Sequence, residues 1–302
     1  MMEATHFLGV VLSLGAALAG AVQYLFLRIG TEDGRANDAV LVVMLMNVLL
    51  LLPAVLVLYY PSYGLTWVSW LSFAAAGILG TLLGRVCAFT SIDRIGASRT
   101  MPIVASWAMI STVLGVVVLG ESLSSVHAIG VMMVVGGVGA IAWETSQENP
   151  SDLSRRALAL GLVIPLLAAL AYGWEPIFAS FGLEEGTPAP VGLTIKTVAA
   201  TLGFTIYLRW SQTLPGRVQL RSRSMRWFVA AGACNTLFLL GYYLALEIAP
   251  VSIVAPIIVT NTLFMVVLSA LFMPNRLEAV TGKLAIAATV VLAGVMLITV
   301  YG

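Results

Sequence analysis

Charged residues are scarce in this chain. Only 10% of its 302 residues are Asp, Glu, Lys or Arg, whereas 60% are hydrophobic and the mean hydropathy is +1.01. Such a composition leaves too few polar side chains to cover the surface of a soluble globule. The chain is therefore predicted to lie in a lipid bilayer.

Cysteine and histidine are also scarce, with two residues of each type. Cys87 and Cys234 fall inside apolar runs, where thiols stay protonated and unreactive, so we expect both to pack. His6 and His127 have no ligand-forming neighbours at a useful spacing, and we assign them no role. The chain also lacks a GxxxxGK[ST] phosphate loop, an HExxH helix and a nucleophile elbow. We expect no enzyme activity, no cofactor and no metal.

Long apolar runs are abundant. A helix needs about 20 apolar residues to cross the hydrocarbon core of a bilayer, and runs of that length recur between short polar breaks. The sequence predicts an all-α integral membrane protein with ten transmembrane helices. Their expected spans are residues 7–28, 38–60, 67–90, 100–120, 124–144, 157–179, 190–210, 226–247, 250–273 and 279–301.

The two halves of the chain are similar to each other. Residues 9–30 align without a gap with residues 161–182, and the segment that begins at Gly96 aligns with the segment that begins at Pro250. A long internal duplication is stronger evidence on architecture than any local motif. We predict two repeats of five helices each, over residues 1–150 and 151–302.

Basic residues mark the expected orientation. Fourteen of the fifteen Lys and Arg residues lie at breaks that follow odd-numbered helices, and the fifteenth, Lys196, lies inside a span. Because short loops rich in Lys and Arg stay cytoplasmic, both termini are predicted to lie outside the plasma membrane. An odd number of helices in each repeat makes the two repeats inverted. Inverted repeats are typical of secondary transporters and also occur in some channels.

The stretch PIVASWAMISTVLGVVVLGESLSSVHAIGVMMVVGGVG begins at Pro102, and in it Gly130 lies nine residues after Glu121. With this stretch the chain resembles the ten-helix EamA-like members of the drug/metabolite transporter superfamily over essentially its whole length. Asn275 stands in the second half where Glu121 stands in the first. The predicted orientation differs too. Familiar members of the family have both termini in the cytoplasm, whereas the basic breaks of this chain predict that both termini lie outside.

The resemblance implies a carrier with a central cavity lined by helices one and six, three and eight, and four and nine. It implies a small-molecule substrate, often an amino acid or an organic cation and commonly exported. Smaller relatives must dimerise, whereas ten helices in one chain make a monomer sufficient. The basic segment from Arg209 to Arg226 is interpreted as a loop near anionic membrane lipids rather than as a nucleic-acid site.

Two ionisable residues inside spans are candidates for substrate binding or coupling. Glu175 in helix six and Lys196 in helix seven are predicted at similar depth, so they can pair. The pair either binds substrate or a coupling proton, or only fixes helix packing. Pro176 follows Glu175 and leaves the carbonyl of Tyr172 without its helical partner, which predicts a kink.

Equivalent positions of the repeats supply further candidates. Gln23 in helix one corresponds to Glu175. Pro102 and Pro256 correspond in helices four and nine, predict kinks and free the carbonyls of Ser98 and Ser252. Five residues after each proline come Trp107, which can stack on a ligand, and Asn261, which can hydrogen-bond. Asn235 in helix eight is equivalent to Thr81 in helix three, whereas Asn47 is expected to pack and Glu121 to act as a cap or loop anchor.

We therefore predict a secondary transporter that exports a small metabolite by alternating access. A lipid-handling protein, either a flippase or a scaffold, is the alternative, and a lateral opening between helices would favour it. A channel would need a continuous polar stripe along several helices, which the isolated polar residues of the spans do not supply. An intramembrane enzyme would need two or more acids or a histidine cluster at one depth, and the spans contain only one clear acid.

Overall fold

The computed structural model describes residues 2–31, 36–95, 97–145, 155–212, 223–272 and 282–301. In these ranges the chain is helical and contains no strand. The α-helices are α1 Met2–Thr31, α2 Ala36–Leu58, α3 Trp67–Ala75, α4 Gly84–Ile95, α5 Ala97–Ala105, α6 Trp107–Val118, α7 Ser125–Thr145, α8 Arg155–Glu184, α9 Ala189–Trp210, α10 Arg223–Ile248, α11 Val251–Ile258, α12 Asn261–Phe272 and α13 Gly282–Tyr301. The chain is thus an all-α integral membrane protein.

Seven helical stretches of the described chain are long and apolar enough to cross a membrane. Three further apolar helices are shorter, over Ile103–Val118, Ser125–Ile141 and Ile286–Tyr301. A helix of 16 residues rises about 24 Å, which is less than the thickness of the hydrocarbon core. Ten transmembrane helices in two inverted repeats therefore stay a prediction.

A π-helical segment, Ala76–Leu83, joins α3 to α4 without a break in the helical path. The helix that contains it begins at a capping box, in which the Thr66 hydroxyl accepts a hydrogen bond from the Ser69 amide at 3.0 Å. The wider turns of a π segment are rare and are often found at functional sites. This one packs on α8 and α9.

Two helical paths are interrupted shortly after a proline. The path through α5 and α6 breaks at Ser106, and the path through α11 and α12 breaks at Val259 and Thr260. Each proline removes one backbone donor and so weakens the helix around it. The breaks lie three or four residues on the carboxyl-terminal side of Pro102 and Pro256, and kinks at the prolines themselves stay a prediction.

The same side-chain hydrogen bond occurs at both breaks. The Ser106 hydroxyl donates to the Ile103 carbonyl at 2.6 Å, and the Thr260 hydroxyl donates to the Ile257 carbonyl at 2.6 Å. Ser106 and Thr260 each stand four residues after the proline. A hydroxyl that bonds back to a carbonyl of the preceding turn competes with the helical pattern and bends the helix.

By contrast, α8 continues through Pro176 from Arg155 to Glu184. Pro176 does not end the helix, and a kink at this position stays a prediction. Helix α8 packs on α4, α6 and the π-helical segment, and α10 packs on α1 and α2. The buried core includes Ile177 of α8, Tyr243 of α10 and Ile257 of α11, so the candidate residues on α8 and α10 lie at the centre of the bundle.

Candidate functional site

An ion pair joins α8 to α9. The ammonium nitrogen of Lys196 lies 2.5 Å from Oε1 of Glu175, and the two side chains are only 2% and 12% exposed. The two predicted partners thus do contact each other. Removing an ion pair from water costs free energy unless the geometry is good and further hydrogen bonds are present. A pair of this kind between two membrane-spanning helices is an unusual and expensive feature.

Tyr243 of α10 completes this cluster. Its hydroxyl lies 3.5 Å from Glu175 Oε1, and the Lys196 ammonium lies 5.0 Å from the centre of its ring. The ring therefore offers Lys196 a cation–π contact while the hydroxyl offers Glu175 a hydrogen bond. We call Glu175, Lys196 and Tyr243 the charged cluster.

Glycines of the π-helical segment and of α4 allow close contact with the charged cluster. A methyl group built on Gly80 would lie 2.5 Å from Cβ of Glu175, and one built on Gly77 would overlap the Lys196 carbonyl oxygen. A methyl group on Gly84 would lie 2.9 Å from the Tyr172 ring. These three glycines therefore pack directly against candidate site residues, in the way that small residues permit close helix packing in membranes.

Four amide and hydroxyl side chains form a second buried cluster. The Asn47 amide nitrogen donates to Asn235 Oδ1 at 2.7 Å, the Asn235 amide nitrogen donates to Gln23 Oε1 at 2.8 Å, and the Thr236 hydroxyl donates to Asn47 Oδ1 at 2.9 Å. We call these residues the amide cluster. It brings the predicted Gln23 and Asn235 together. It also includes Asn47, which the sequence assigned to packing.

The other predicted residues surround these two clusters. Tyr172 is one turn before Glu175 on α8, and its ring lies against Gly84 of α4. The Trp107 carbonyl oxygen would lie 3.3 Å from a methyl group built on Gly173, so the start of α6 passes close to α8. The Asn261 amide nitrogen would lie 3.5 Å from a methyl group built on Gly20 of α1. Pro102 is in α5, and its side chain lies outside the described part of the structure.

The first half of the chain is similar to a known family. Residues 7–143 match the model of the EamA-like transporter family. The match covers somewhat less than half of the chain and lies within the first predicted repeat. A solved structure described as "Crystal structure of protein" has 13% sequence identity and a TM-score of 0.77, covering 96% of this chain and 95% of that chain. At that identity the likeness shows the fold alone. No curated protein matches the chain with significance.

The match of residues 7–143 supports a membrane transporter of the drug/metabolite transporter superfamily. Within the described residues, no group of three His, Cys, Asp or Glu side chains is arranged to hold a metal ion.

Glu121, in the connection between α6 and α7, caps α11. Its two carboxylate oxygens accept hydrogen bonds from the backbone amides of Val251 at 2.7 Å and Ser252 at 2.9 Å. These amides have no helical partner, and a negative charge is favourable at a helix amino terminus. The predicted role of Glu121 as a cap or loop anchor is confirmed. The equivalent position, Asn275, lies outside the described residues.

His127 contacts the same turn. Its Nε2 donates a hydrogen bond to the Ser252 carbonyl at 3.1 Å, and the side chain is buried. This carbonyl is the one that Pro256 was predicted to leave without a helical donor. Sequence reasoning found the free carbonyl but missed the donor, because His127 is 125 residues away in the chain. We call Glu121 and His127, together with Val251 and Ser252 of α11, the clasp.

A cavity of about 320 Å³ opens between α1 and α12. Its lining is mainly apolar but includes one tyrosine and one arginine of α1. The lining residues are Tyr24, Leu25, Leu27, Arg28, Thr31 and Met265. The cavity therefore lies along α1, the helix that also holds Gln23 of the amide cluster.

Proposed function

We propose that this chain is a secondary transporter that exports a small metabolite, either amino acid-like or an organic cation, by alternating access. Its repeats would be residues 1–150 and 151–302, inverted in the plasma membrane with both termini outside. A monomer would be sufficient to enclose the substrate site.

The observation that carries this proposal is the buried Glu175–Lys196 pair at 2.5 Å. A carboxylate that faces the interior of a helical bundle in a membrane is a default candidate for binding a cation. The amine of a substrate, or a coupling proton, would replace Lys196 as the partner of Glu175. Such an exchange keeps the carboxylate compensated at each step. The Lys196 ammonium loses its carboxylate partner during the exchange but keeps its contact with the Tyr243 ring.

The helix breaks at Ser106 and at Val259 and Thr260 support the alternating-access part of the proposal. Interrupted helices are common in secondary transporters, where they lie near the substrate site and allow one part of the bundle to move against the other. Trp107 and Asn261 directly follow the two breaks. We propose that these two side chains contact substrate when the helices bend.

The amide cluster supports a polar contact on the α1 side of the pathway. Gln23 and Asn235 are both only 6% exposed, and each already has a hydrogen-bond partner. We propose that this cluster binds the polar part of the substrate after Glu175 has bound its amine. The cavity that includes Tyr24 and Arg28 would then be the vestibule on the cytoplasmic side.

The test is transport by the purified protein in vesicles, with a panel of labelled amino acids and organic cations, with and without a proton gradient. We expect transport of at least one compound by the wild type and loss of that transport in Glu175→Gln. Glu184→Gln is the matched control, since Glu184 is an exposed acid on the same helix.

Two results would contradict the proposal. Unchanged transport in Glu175→Gln would exclude the charged cluster as the binding or coupling site. Transport of no compound, together with scrambling of labelled phospholipids in the same vesicles, would identify the lipid-handling alternative. If a proton gradient stimulates transport by the wild type but not by Glu175→Gln, the Glu175 carboxylate is the group that couples transport to protons.

A further inference from the structure

Two buried polar side-chain atoms in the described part of the chain have no hydrogen-bond partner. They are the hydroxyl oxygens of Tyr242 and Ser252. Ser252 belongs to the clasp, where its backbone amide and carbonyl are both hydrogen-bonded. Tyr242 is different, because its hydroxyl is next to the charged cluster.

Tyr242 is fixed in place by aromatic contacts. Its ring stacks on Phe238 with a centroid distance of 6.1 Å and an interplanar angle of 10°, and meets Tyr243 edge-on at 5.7 Å and 83°. Only 4% of its surface is exposed. Packing of this kind holds the ring in one position, so the hydroxyl cannot easily turn towards another protein group.

The hydroxyl lies close to the proposed binding site. Tyr243, the next residue, reaches Glu175 with its own hydroxyl, and Tyr242 is itself near enough to Glu175 for electrostatic interaction. Phe238, on the other side of Tyr242, lies beside Gly20 and Asn261. The Tyr242 ring therefore contacts Tyr243 of the charged cluster and also Phe238, which lies beside α1 and α12.

A buried tyrosine hydroxyl normally has a hydrogen-bond partner, and leaving it without one costs free energy that phenylalanine at the same position would not cost. Packing alone thus explains the ring of Tyr242 but not its hydroxyl. A molecule that enters the site and carries an oxygen acceptor would supply the missing partner.

We propose that the Tyr242 hydroxyl is a specificity-determining group that donates a hydrogen bond to an oxygen atom of the substrate. This inference rests on the proposed transport function and narrows its substrate class. The substrate carries an amine for Glu175, an oxygen acceptor a few bonds away for Tyr242, and an apolar or aromatic group for the surface formed by Phe238 and Tyr242. An organic cation without an oxygen acceptor uses only part of the site.

Three probes with the same ring and amine separate these contacts. Phenylalanine carries a carboxylate, phenylalaninol carries a hydroxymethyl group, and phenethylamine carries neither. Their dissociation constants would be measured by titration calorimetry on the full chain in lipid nanodiscs, for wild type, Tyr242→Phe and Tyr243→Phe.

We expect Tyr242→Phe to weaken binding of phenylalanine and phenylalaninol by roughly tenfold, the equivalent of one good hydrogen bond, and to affect phenethylamine far less. Tyr243→Phe is the matched control. It removes a hydroxyl that touches Glu175, so it should affect all three amines alike. The thermal unfolding midpoint of Tyr242→Phe should equal or exceed that of the wild type, because the lost hydroxyl has no protein partner.

Equal effects of Tyr242→Phe on all three probes would overturn the proposal, as would no effect on any of them. A lower unfolding midpoint for this variant would also overturn it, since it would reveal a structural role for the hydroxyl. Binding of none of the probes to the wild type would exclude this substrate class. That result would leave the transport function to be judged on the wider panel of labelled compounds, so the two failures are distinguishable.

Discussion

At the scale of single residues, the buried charged pair was predictable and most of its surroundings were not. Glu175 and Lys196 are ionisable residues inside apolar runs, which is enough to select them. Tyr243, Asn47 and His127 act through contacts with distant segments, and nothing in their local sequence distinguishes them from ordinary packing or interfacial residues. Tertiary contacts of this kind depend on how the helices pack, which the sequence pattern alone does not specify.

One residue-scale prediction concerns the energy of the pair. Lys196→Met leaves Glu175 buried without its partner, and we expect a loss of about 3–5 kcal/mol in the free energy of unfolding. The double variant Glu175→Gln, Lys196→Met has no unpaired charge and should recover most of that loss. Unfolding by sodium dodecyl sulfate in mixed micelles measures both. Equal destabilisation of the single and double variants would show that the two residues are not coupled.

At the scale of elements, proline positions predicted where helices are interrupted, but the hydroxyls that bend them were missed. The helical paths break three or four residues after Pro102 and Pro256, whereas α8 continues through Pro176. At Ser106 and Thr260 a side-chain hydroxyl bonds to the carbonyl three residues earlier. Ser180 also stands four residues after a proline, Pro176, yet α8 is unbroken there. A proline followed by a hydroxyl residue is therefore not sufficient to break a helix, and the hydrogen bond that the hydroxyl makes is what the two broken paths share.

The π-helical segment leads to a prediction about close packing. Gly80→Ala places a methyl group 2.5 Å from Cβ of Glu175, and relieving that overlap should cost about 1–3 kcal/mol and weaken substrate binding. Gly15→Ala is the control, because no described atom lies within 4 Å of a methyl group built there. Unfolding midpoints and dissociation constants would be compared. Equal behaviour of the two variants would contradict the packing seen around Glu175.

The two broken helices lead to a prediction about kinetics. Ser106→Ala combined with Thr260→Val removes both hydroxyls that bond back to the preceding turn, which favours straighter helices. We expect slower transport with little change in substrate affinity, because the change affects bending rather than contacts in the charged cluster. Initial rates and dissociation constants measured on the same preparation test this. An unchanged rate would exclude these two positions as hinges.

At the scale of the whole molecule, composition was enough to predict an all-α membrane protein, and the motif around Glu121 was enough to recognise the family. The predicted orientation depends on the basic residues at the breaks, and four of those fourteen residues, Arg35, Arg217, Arg221 and Arg276, lie outside the described ranges. The clasp links the segment between Glu121 and His127 to the start of α11, and the cavity beside Tyr24 and Arg28 opens between α1 and α12.

The predicted orientation can be tested on intact cells. A short epitope fused before Met1 and another fused after Gly302 should both be labelled by antibodies added outside, because the basic breaks are expected to stay in the cytoplasm. An epitope inserted between Gly216 and Arg217 is the internal control and should be labelled only after permeabilisation. Labelling of both termini only in permeabilised cells would reverse the topology.

The central claim is that the chain is a carrier whose site contains Glu175, and counterflow tests it most directly. Vesicles loaded with unlabelled substrate are diluted into a trace of the labelled compound. Alternating access predicts a transient accumulation of label above equilibrium in the wild type, because inward and outward movements share one site, and no such accumulation in Glu175→Gln. Simple equilibration of label without overshoot in the wild type would contradict the account and indicate a channel.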